Sequence, residues 1–157
     1  MLLSVRPGMM QRVDKMIIRN AKMGDYGAIA LIEKECFAHP WSEADIEASH
    51  SLDCEFLVAV SGGEVVGYCG AQLSDGGYIT NVAVSRNHRK KGVAKALISE
   101  MIRLCKLKGL PFLTLEVRVS NAPAIALYET LGFENLGKRP NFYTDPKEDA
   151  FIYTLNF

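Results

Sequence analysis

The spacing of hydrophobic and polar positions divides the chain into short strands and amphipathic helices. The clearest helical signal lies between residues 92 and 108, where four apolar side chains recur four positions apart: Val93, Leu97, Met101 and Cys105. This period places the four side chains on one face of a helix, which we expect to be buried. Gly109 follows as the C-terminal stop of this predicted helix.

Runs rich in β-branched and aromatic residues predict the strands. Two of them, residues 55–60 and 64–73, are joined by Ser61-Gly62-Gly63, which is a strong hairpin signal. Further strands are predicted at residues 17–19, 78–84, 112–117, 133–138 and 151–157. The other predicted helices cover residues 22–36, 41–49 with Ser42 as N-cap, and 121–131 with Gly132 at the end. This order of elements predicts an α+β domain whose mixed sheet carries helices on its faces.

Composition and charge favour a single globular domain. The 157 residues, 48% of them hydrophobic, are enough to bury a substantial core. No apolar run approaches the ~18 to 20 residues of a membrane span, and the N-terminus lacks a signal-peptide core, so we expect a cytoplasmic protein. Residues 1–15 show no sustained periodicity and are expected to form a weakly ordered extension ahead of a domain over residues 16–157. The four cysteines lack metal-ligand spacing, so free or structural thiols are expected.

Positive charge is concentrated in one segment, although the chain's 18 Lys and Arg residues balance its 18 Asp and Glu residues. Residues 86–95 contain these basic side chains: Arg86, His88, Arg89, Lys90, Lys91 and Lys95. The segment joins the predicted strand at residues 78–84 to the helix that begins near Gly92. Free N–H groups at a helix N-terminus bind phosphate oxygens, and glycine allows a close approach of the backbone. The segment therefore predicts a phosphorylated ligand, with a solvated basic helix start as the alternative.

The segment Arg89-Lys90-Lys91-Gly92-Val93-Ala94 resembles the R/Q-x-x-G-x-G/A signature of the GCN5-related N-acetyltransferase (GNAT) family. Two more specific segments, L-E-V-R-V-S-N at residues 115–121 and A-I-A-L-Y-E-T-L-G-F at residues 124–133, are similar to RimI-type ribosomal-protein-alanine N-acetyltransferases. The resemblance covers roughly residues 17–157. It implies a GNAT-like central mixed, mostly antiparallel sheet with helices on both faces and a splayed cofactor cleft between the fourth and fifth strands.

The same resemblance implies acetyl-CoA as cosubstrate and no metal. The basic loop would hold the diphosphate, and we expect an affinity that falls with added salt because the loop is partly exposed. Residues expected to contact acetyl-CoA are Val82, Ala83, Val84, Arg89, Lys90, Lys91, Gly92, Val93, Ala94, Lys95, Asn121 and Tyr128.

Two of the matched residues are implied to carry the chemistry. Acetyl transfer from a thioester to an amine requires a neutral amine and a proton for the leaving thiolate, but no covalent enzyme intermediate. The glutamate of L-E-V-R is the proposed general base in the RimI-type family, a role that falls here on Glu116, and the phenol of Tyr128 would protonate the sulfur. The ordinary alternatives are an ion-paired surface carboxylate for Glu116 and a tyrosine packed beneath the sheet for Tyr128.

Residues implied on the acceptor side are Trp41, Asn141 and Tyr143. The segment from residue 139 to 143 resembles the N-Y-Y segment that closes over the peptide, but Phe142 stands where a tyrosine is usual. Lys147 likewise replaces the histidine of the H-E-D-A segment. Both differences bear on the choice of acceptor and leave acetyl transfer possible.

The acceptor expected from the resemblance is a protein N-terminal α-amine, in a ribosomal protein beginning with alanine. Lysine side chains and small amines are alternative acceptors, and a non-catalytic module that binds CoA or nucleic acid is an alternative class. A pI of about 6.8 disfavours nucleic acid, which would require a broad basic surface. We expect neither a nucleic-acid nor a membrane partner, and a monomer or weak dimer.

Overall fold

The computed structural model describes residues 15–50 and 53–157. Its strands form one sheet in the order β1-β2-β3-β4-β5-β7-β6. The strands are β1 Ile17–Asn20, β2 Cys54–Ser61, β3 Glu64–Leu73, β4 Gly77–Val84, β5 Phe112–Arg118, β6 Glu134–Thr144 and β7 Lys147–Asn156. The helices are α1 Tyr26–Cys36, α2 Glu43–His50, α3 Val93–Leu107 and α4 Ala122–Thr130. Every neighbouring pair of strands is antiparallel except β4 and β5, so the predicted mixed, mostly antiparallel sheet is confirmed.

The helices lie on both faces of the sheet, as predicted. On one face, Ile29 and Ile32 of α1 and Ile46 of α2 pack against Phe56 and Tyr68 of the central strands. On the other face, α3 and α4 cover the strands, and the predicted apolar stripe of α3 is buried. Burial on both faces explains why β2 and β3 have continuous apolar runs rather than strict alternation.

Local signals place most element boundaries close to the observed ones. The β2–β3 hairpin turns at Gly62 and Gly63, both with positive φ, as a tight two-residue turn requires. The Ser42 hydroxyl accepts a hydrogen bond from the Asp45 N–H at 3.2 Å, which supports its predicted N-cap role. The predicted helix over residues 22–36 begins as a 3-10 turn at Met23–Asp25 before α1 starts.

The lengths predicted for the last two strands are wrong. Residues 139–144 extend β6 and residues 147–150 extend β7, although both segments are mainly polar. The pairing shifts between Arg139 and Tyr143, where Asn141 has a φ of 55° and donates its backbone N–H to Asp149 Oδ1 at 2.7 Å. The segment expected to close over a peptide is therefore a bulged edge strand. The predicted N-terminal extension lies, apart from Lys15, outside the described residues.

The sheet opens between β4 and β5. These strands pair only at Gly77 with Leu113 and at Tyr78 with Thr114, and then they diverge. One extra residue, Thr80, forms a bulge in β4, because Ile79 and Asn81 pair with the adjacent Ala71 and Gly70 of β3. The predicted splay between the fourth and fifth strands is thus confirmed.

Candidate active site

A groove of about 1140 Å³ lies where β4 and β5 diverge. It is lined by most of the residues predicted from the sequence: Trp41, Val82, Ala83, Val84, Arg89, Lys90, Gly92, Val93, Ala94, Lys95, Glu116, Asn121, Tyr128 and Tyr143. The predicted residues Lys91 and Asn141 do not line the groove, and both are exposed. All four cysteines are free thiols. Among residues 15–50 and 53–157, no group of three or more His, Cys, Asp or Glu side chains could hold a metal ion.

The N-terminus of α3 lines the groove. Gly92 is its N-cap with a φ of 79°, and no side chain in the described part of the chain caps the first turn. The N–H groups of that turn are therefore available to an anion, together with the positive end of the helix dipole. Arg89 is held beside them, because its Nε donates to Val84 O at 3.1 Å and its Nη2 lies 3.2 Å from Cys36 Sγ. This arrangement fits a diphosphate.

Gly92→Val should weaken acetyl-CoA binding. The positive φ disfavours any residue with a Cβ, and the new side chain would project where the diphosphate must approach the backbone. Loss of one charge-assisted hydrogen bond, worth ~1.5 to 3 kcal/mol, predicts a roughly tenfold or larger rise in Kd by calorimetric titration.

The matched control for Gly92→Val is Gly109→Val, at the other end of α3. Gly109 has a φ of 68°, and a Cβ there would likewise meet nothing within 4 Å. The Gly109→Val variant should have a similar backbone strain but leave the Kd for acetyl-CoA unchanged. Equal affinities of the Gly92→Val variant and the wild type would exclude the anion site at this helix.

Glu116 reaches the groove from β5, and its side chain is only 8% exposed. Tyr78 of β4 donates its hydroxyl hydrogen to Glu116 Oε2, and Arg139 Nε lies 3.3 Å from Oε1. The carboxylate is thus ion-paired, as in the ordinary alternative, but it is buried beside the groove rather than on the outer surface. Burial raises the pKa of Tyr78, and the hydrogen bond to Glu116 raises it further, so Tyr78 remains a hydrogen-bond donor.

Tyr128 approaches the same groove from α4. Its side chain is 5% exposed, and its ring centroid lies 5.9 Å from that of Phe133 and 6.4 Å from that of Tyr153. The helix is oriented by Asn121, whose Oδ1 accepts the Ala124 N–H at 3.3 Å. Burial raises the pKa of Tyr128, with Cys69 and Tyr143 adding to the effect. The phenol is therefore protonated at neutral pH and can donate a proton, while its ring contributes to the core.

Trp41 and Tyr143 also line the groove. The guanidinium of Arg118 lies 4.2 Å from the ring centroid of Tyr143, which holds the ring in place by a cation–π contact. The neighbouring Phe142 packs edge-on against Tyr143 with ring centroids 5.0 Å apart. These aromatic rings give the groove a second kind of surface besides the basic helix N-terminus of α3.

Sequence reasoning missed three polar residues at or beside the groove: Glu33, Tyr78 and Arg139. The sequence contains no local signal for Tyr78, because only the parallel pairing of β4 with β5 places it beside Thr114, two residues before Glu116. Glu33 had a weak signal, since it falls four residues after Ile29 and three before Cys36, on the apolar face of α1. Its side chain lines the groove and is 1% exposed.

Known proteins resemble this chain in both sequence and fold. The model of the acetyltransferase (GNAT) family matches residues 26–133. A Bacillus subtilis protein provisionally named [ribosomal protein bS18]-alanine N-acetyltransferase is 36% identical over 141 residues, which cover 88% of this chain and 93% of the relative. The [ribosomal protein bS18]-alanine N-acetyltransferase of Escherichia coli K12 is 34% identical over 141 residues, covering 88% and 95% of the two chains. The crystal structure of the ribosomal-protein-S18-alanine N-acetyltransferase from Escherichia coli matches with a TM-score of 0.84 and 33% identity, covering 90% of this chain and 94% of that one.

Proposed function

Because this chain belongs to the acetyltransferase (GNAT) family, we propose that it transfers the acetyl group of acetyl-CoA to the free α-amine at the N-terminus of a protein. The observation that carries the proposal is the convergence of Glu116 and Tyr128 on one groove that is also lined by an uncapped, basic helix N-terminus. The preferred acceptor is a ribosomal protein that begins with alanine, the substrate named for the relatives. With a ribosomal protein as acceptor, the reaction takes place in the cytoplasm. The proposed oligomeric state is a monomer or weak dimer. Among the described residues, no helix is long and apolar enough to cross a bilayer.

Acetyl-CoA binding is assigned to the groove where β4 and β5 diverge. The first turn of α3, with Arg89 and Lys90 beside it, binds the diphosphate. Beyond Tyr78, β4 forms no pairs with β5 in the described structure, so the backbone groups of Val82, Ala83 and Val84 can bind an extended pantetheine arm. These contacts do not depend on the side chains at the three positions.

Glu116 and Tyr128 divide the proton transfers between them. Glu116, held by Tyr78 and Arg139, takes a proton from the ammonium form of the acceptor through a bridging water, which leaves a neutral amine. The amine nitrogen then forms a bond to the acetyl carbon as the bond from that carbon to sulfur breaks, and the nitrogen releases its second proton to water. Tyr128 donates its hydroxyl proton to the departing sulfur and regains a proton from water, so that the products are the amide and neutral CoA.

Proton affinity explains the preference for an α-amine over lysine. A protein α-amino group has a pKa of ~7.7 to 8.0, against ~10.4 for a lysine side chain. The two pKa values differ by about 2.5 units. At neutral pH the fraction of lysine side chains in the neutral form is therefore roughly 300-fold smaller than that of α-amines. A carboxylate acting through water therefore has a smaller deprotonation cost to overcome with the α-amine than with lysine.

The acceptor assignment is tested with three peptides. We expect a peptide with a free N-terminal alanine to be acetylated fastest, and its N-blocked form that retains an internal lysine to react at least ~100-fold more slowly for the pKa reason given above. A peptide beginning with a bulky residue should be slower than the alanine peptide, because the large rings of Trp41 and Tyr143, the proposed acceptor-side residues, line the groove. Initial rates at saturating acetyl-CoA decide the question, with mass spectrometry to locate the acetyl group.

Each peptide result has a distinct meaning. Equal rates on the blocked, lysine-bearing peptide would move the chain to the lysine or small-amine branch of the family. Binding of acetyl-CoA without transfer to any of the three peptides or to free small amines would favour a non-catalytic module.

A further inference from the structure

Glu33 is a buried acid that the proposed proton transfers do not use. It lies on α1, it is 1% exposed, and it borders the groove between the α1–α2 connection and β4. We call residues 37–42 the acceptor loop, because this segment contains Trp41 and joins α1 to α2. Glu33 therefore lies between the acceptor loop and β4, the strand proposed to bind the pantetheine arm of acetyl-CoA.

The carboxylate of Glu33 connects three other parts of the fold. Its Oε2 accepts the backbone N–H of Trp41 at 3.3 Å. Its Oε1 accepts the side-chain N–H of Asn81 at 2.8 Å and also the hydroxyl of Tyr68. One side chain thus links α1 to the acceptor loop, to β4 and to β3.

The contact with Asn81 lies next to the irregular part of β4. Asn81 directly follows Thr80, the extra residue of the bulge. A bulge changes the direction of the strand and leaves a residue out of the ladder, so its geometry depends on local contacts. Val82, which lines the groove, follows Asn81 immediately.

A purely structural role would not require an acid at this position. Burying a carboxylate carries a desolvation penalty, and apolar residues of similar volume at buried ionic sites are often neutral or stabilising. Burial raises the pKa of Glu33, while its hydrogen bonds from Asn81 and the Trp41 backbone act in the opposite direction. Three donors from three elements converge on the carboxylate, and each of them adjoins the groove or the strand beneath it.

We propose that Glu33 is a positioning residue that holds Trp41 of the acceptor loop and Asn81 of β4 in one fixed arrangement, so that the acceptor amine and the thioester meet in a reactive geometry. This inference rests on the proposed acetyl transfer. In this role Glu33 acts through Trp41 and Asn81 rather than through direct contact with either substrate.

The conservative variant Glu33→Gln separates the two links. Glutamine has the same shape, and the two donors at Oε1 favour its carbonyl oxygen there, which turns its NH₂ group towards the N–H of Trp41. Two donors then face each other, so the link to the acceptor loop is lost. We expect the KM for the acceptor peptide to rise about tenfold, as for loss of a hydrogen bond to a charged group, while the Kd for acetyl-CoA stays within about twofold.

Fluorescence gives a second readout that does not require activity. Trp41 is the only tryptophan of the chain, so the emission spectrum reports on the acceptor loop directly. Glu33→Gln should shift that emission in the folded protein.

The variant Asn81→Ala removes the other link, the hydrogen bond between Glu33 and β4. It should lower kcat with a smaller effect on the KM for the acceptor peptide, because it loosens β4 rather than the acceptor loop.

Asp25→Asn is the matched structural control. Asp25 is another buried carboxylate, just ahead of α1, and it pairs with Arg19 at 2.6 Å away from the groove. This variant should lower the melting temperature but leave the Trp41 emission and the acceptor KM at their wild-type values.

The proposal is overturned if the Glu33→Gln variant has the wild-type KM for the acceptor peptide and the wild-type Trp41 emission. If Glu33→Gln does not fold, a wild-type kcat in Asn81→Ala would overturn the proposal instead. Failure of acetyl transfer itself is distinguishable, since the wild-type enzyme would then be inactive on every peptide while the emission comparison still tests the link to the acceptor loop.

Discussion

Glu116→Gln is expected to lower kcat/KM for the acceptor peptide by about 10² to 10⁴-fold near neutral pH, the usual contribution of a positioned general base. The defect should shrink as the pH rises through the pKa of the α-amine, ~7.7 to 8.0, because a growing fraction of the acceptor is then neutral without help. Initial rates on the alanine peptide, measured between about pH 6 and pH 9 for both enzymes, test the expectation.

The control for this variant is Glu129→Gln. Glu129 also accepts a hydrogen bond from a tyrosine hydroxyl, that of Tyr153 at 2.9 Å, but it lies outside the groove. It should leave both the rate and its pH dependence unchanged. If the ratio of wild-type to Glu116→Gln rates stays constant across the pH range, Glu116 is not the base.

Tyr128→Phe is expected to lower kcat by about 10²-fold, the lower end of the range for a general acid, while the Kd for acetyl-CoA stays near the wild-type value. The phenyl ring retains the packing against Phe133 and Tyr153, so only the proton donor is lost. Because burial raises the pKa of Tyr128 above its ordinary value of ~10, the hydroxyl stays protonated throughout the assay range. The wild-type enzyme should therefore show no alkaline loss of activity from this residue below about pH 10.

Tyr153→Phe provides the comparison for Tyr128→Phe. Tyr153 is 3% exposed and packs against Tyr128, but its hydroxyl is directed to Glu129. It should change stability more than kcat. A Tyr128→Phe enzyme with full turnover would assign the departing proton to another donor and leave Tyr128 with a packing role alone.

The sequence contained enough information for the elements whose signal is local. The four-residue spacing of α3, the glycines of the β2–β3 turn and the basic loop each depend on neighbours within a few positions, and the structure confirms the helix and the hairpin. The positions of Glu116 and Tyr128 beside one groove came from a motif resemblance rather than from periodicity.

Features that depend on contacts distant in sequence were not predictable in this way. Residues 139–144 and 147–150 have the polar character of a loop in the sequence, but they form strands because β6 and β7 exchange backbone hydrogen bonds. Tyr78 and Glu116 are 38 positions apart, and Glu33 and Asn81 are 48 positions apart. Hydrophobic patterning assigns polar residues to the surface by default, so buried acids such as Glu33 escape it until their partners are known.

The divergence of β4 from β5 also has a bearing on how the protein avoids aggregation. Strand edges with free N–H and C=O groups are templates for the addition of foreign strands, and natural proteins usually shield them with charges, bulges or covering elements. Here the edges of β4 and β5 beyond Tyr78 and Thr114 face each other across the groove, in the middle of the sheet rather than at its ends. An unpaired edge in this interior position has a strand of the same sheet on either side, so it offers a foreign strand less access than an outer edge would.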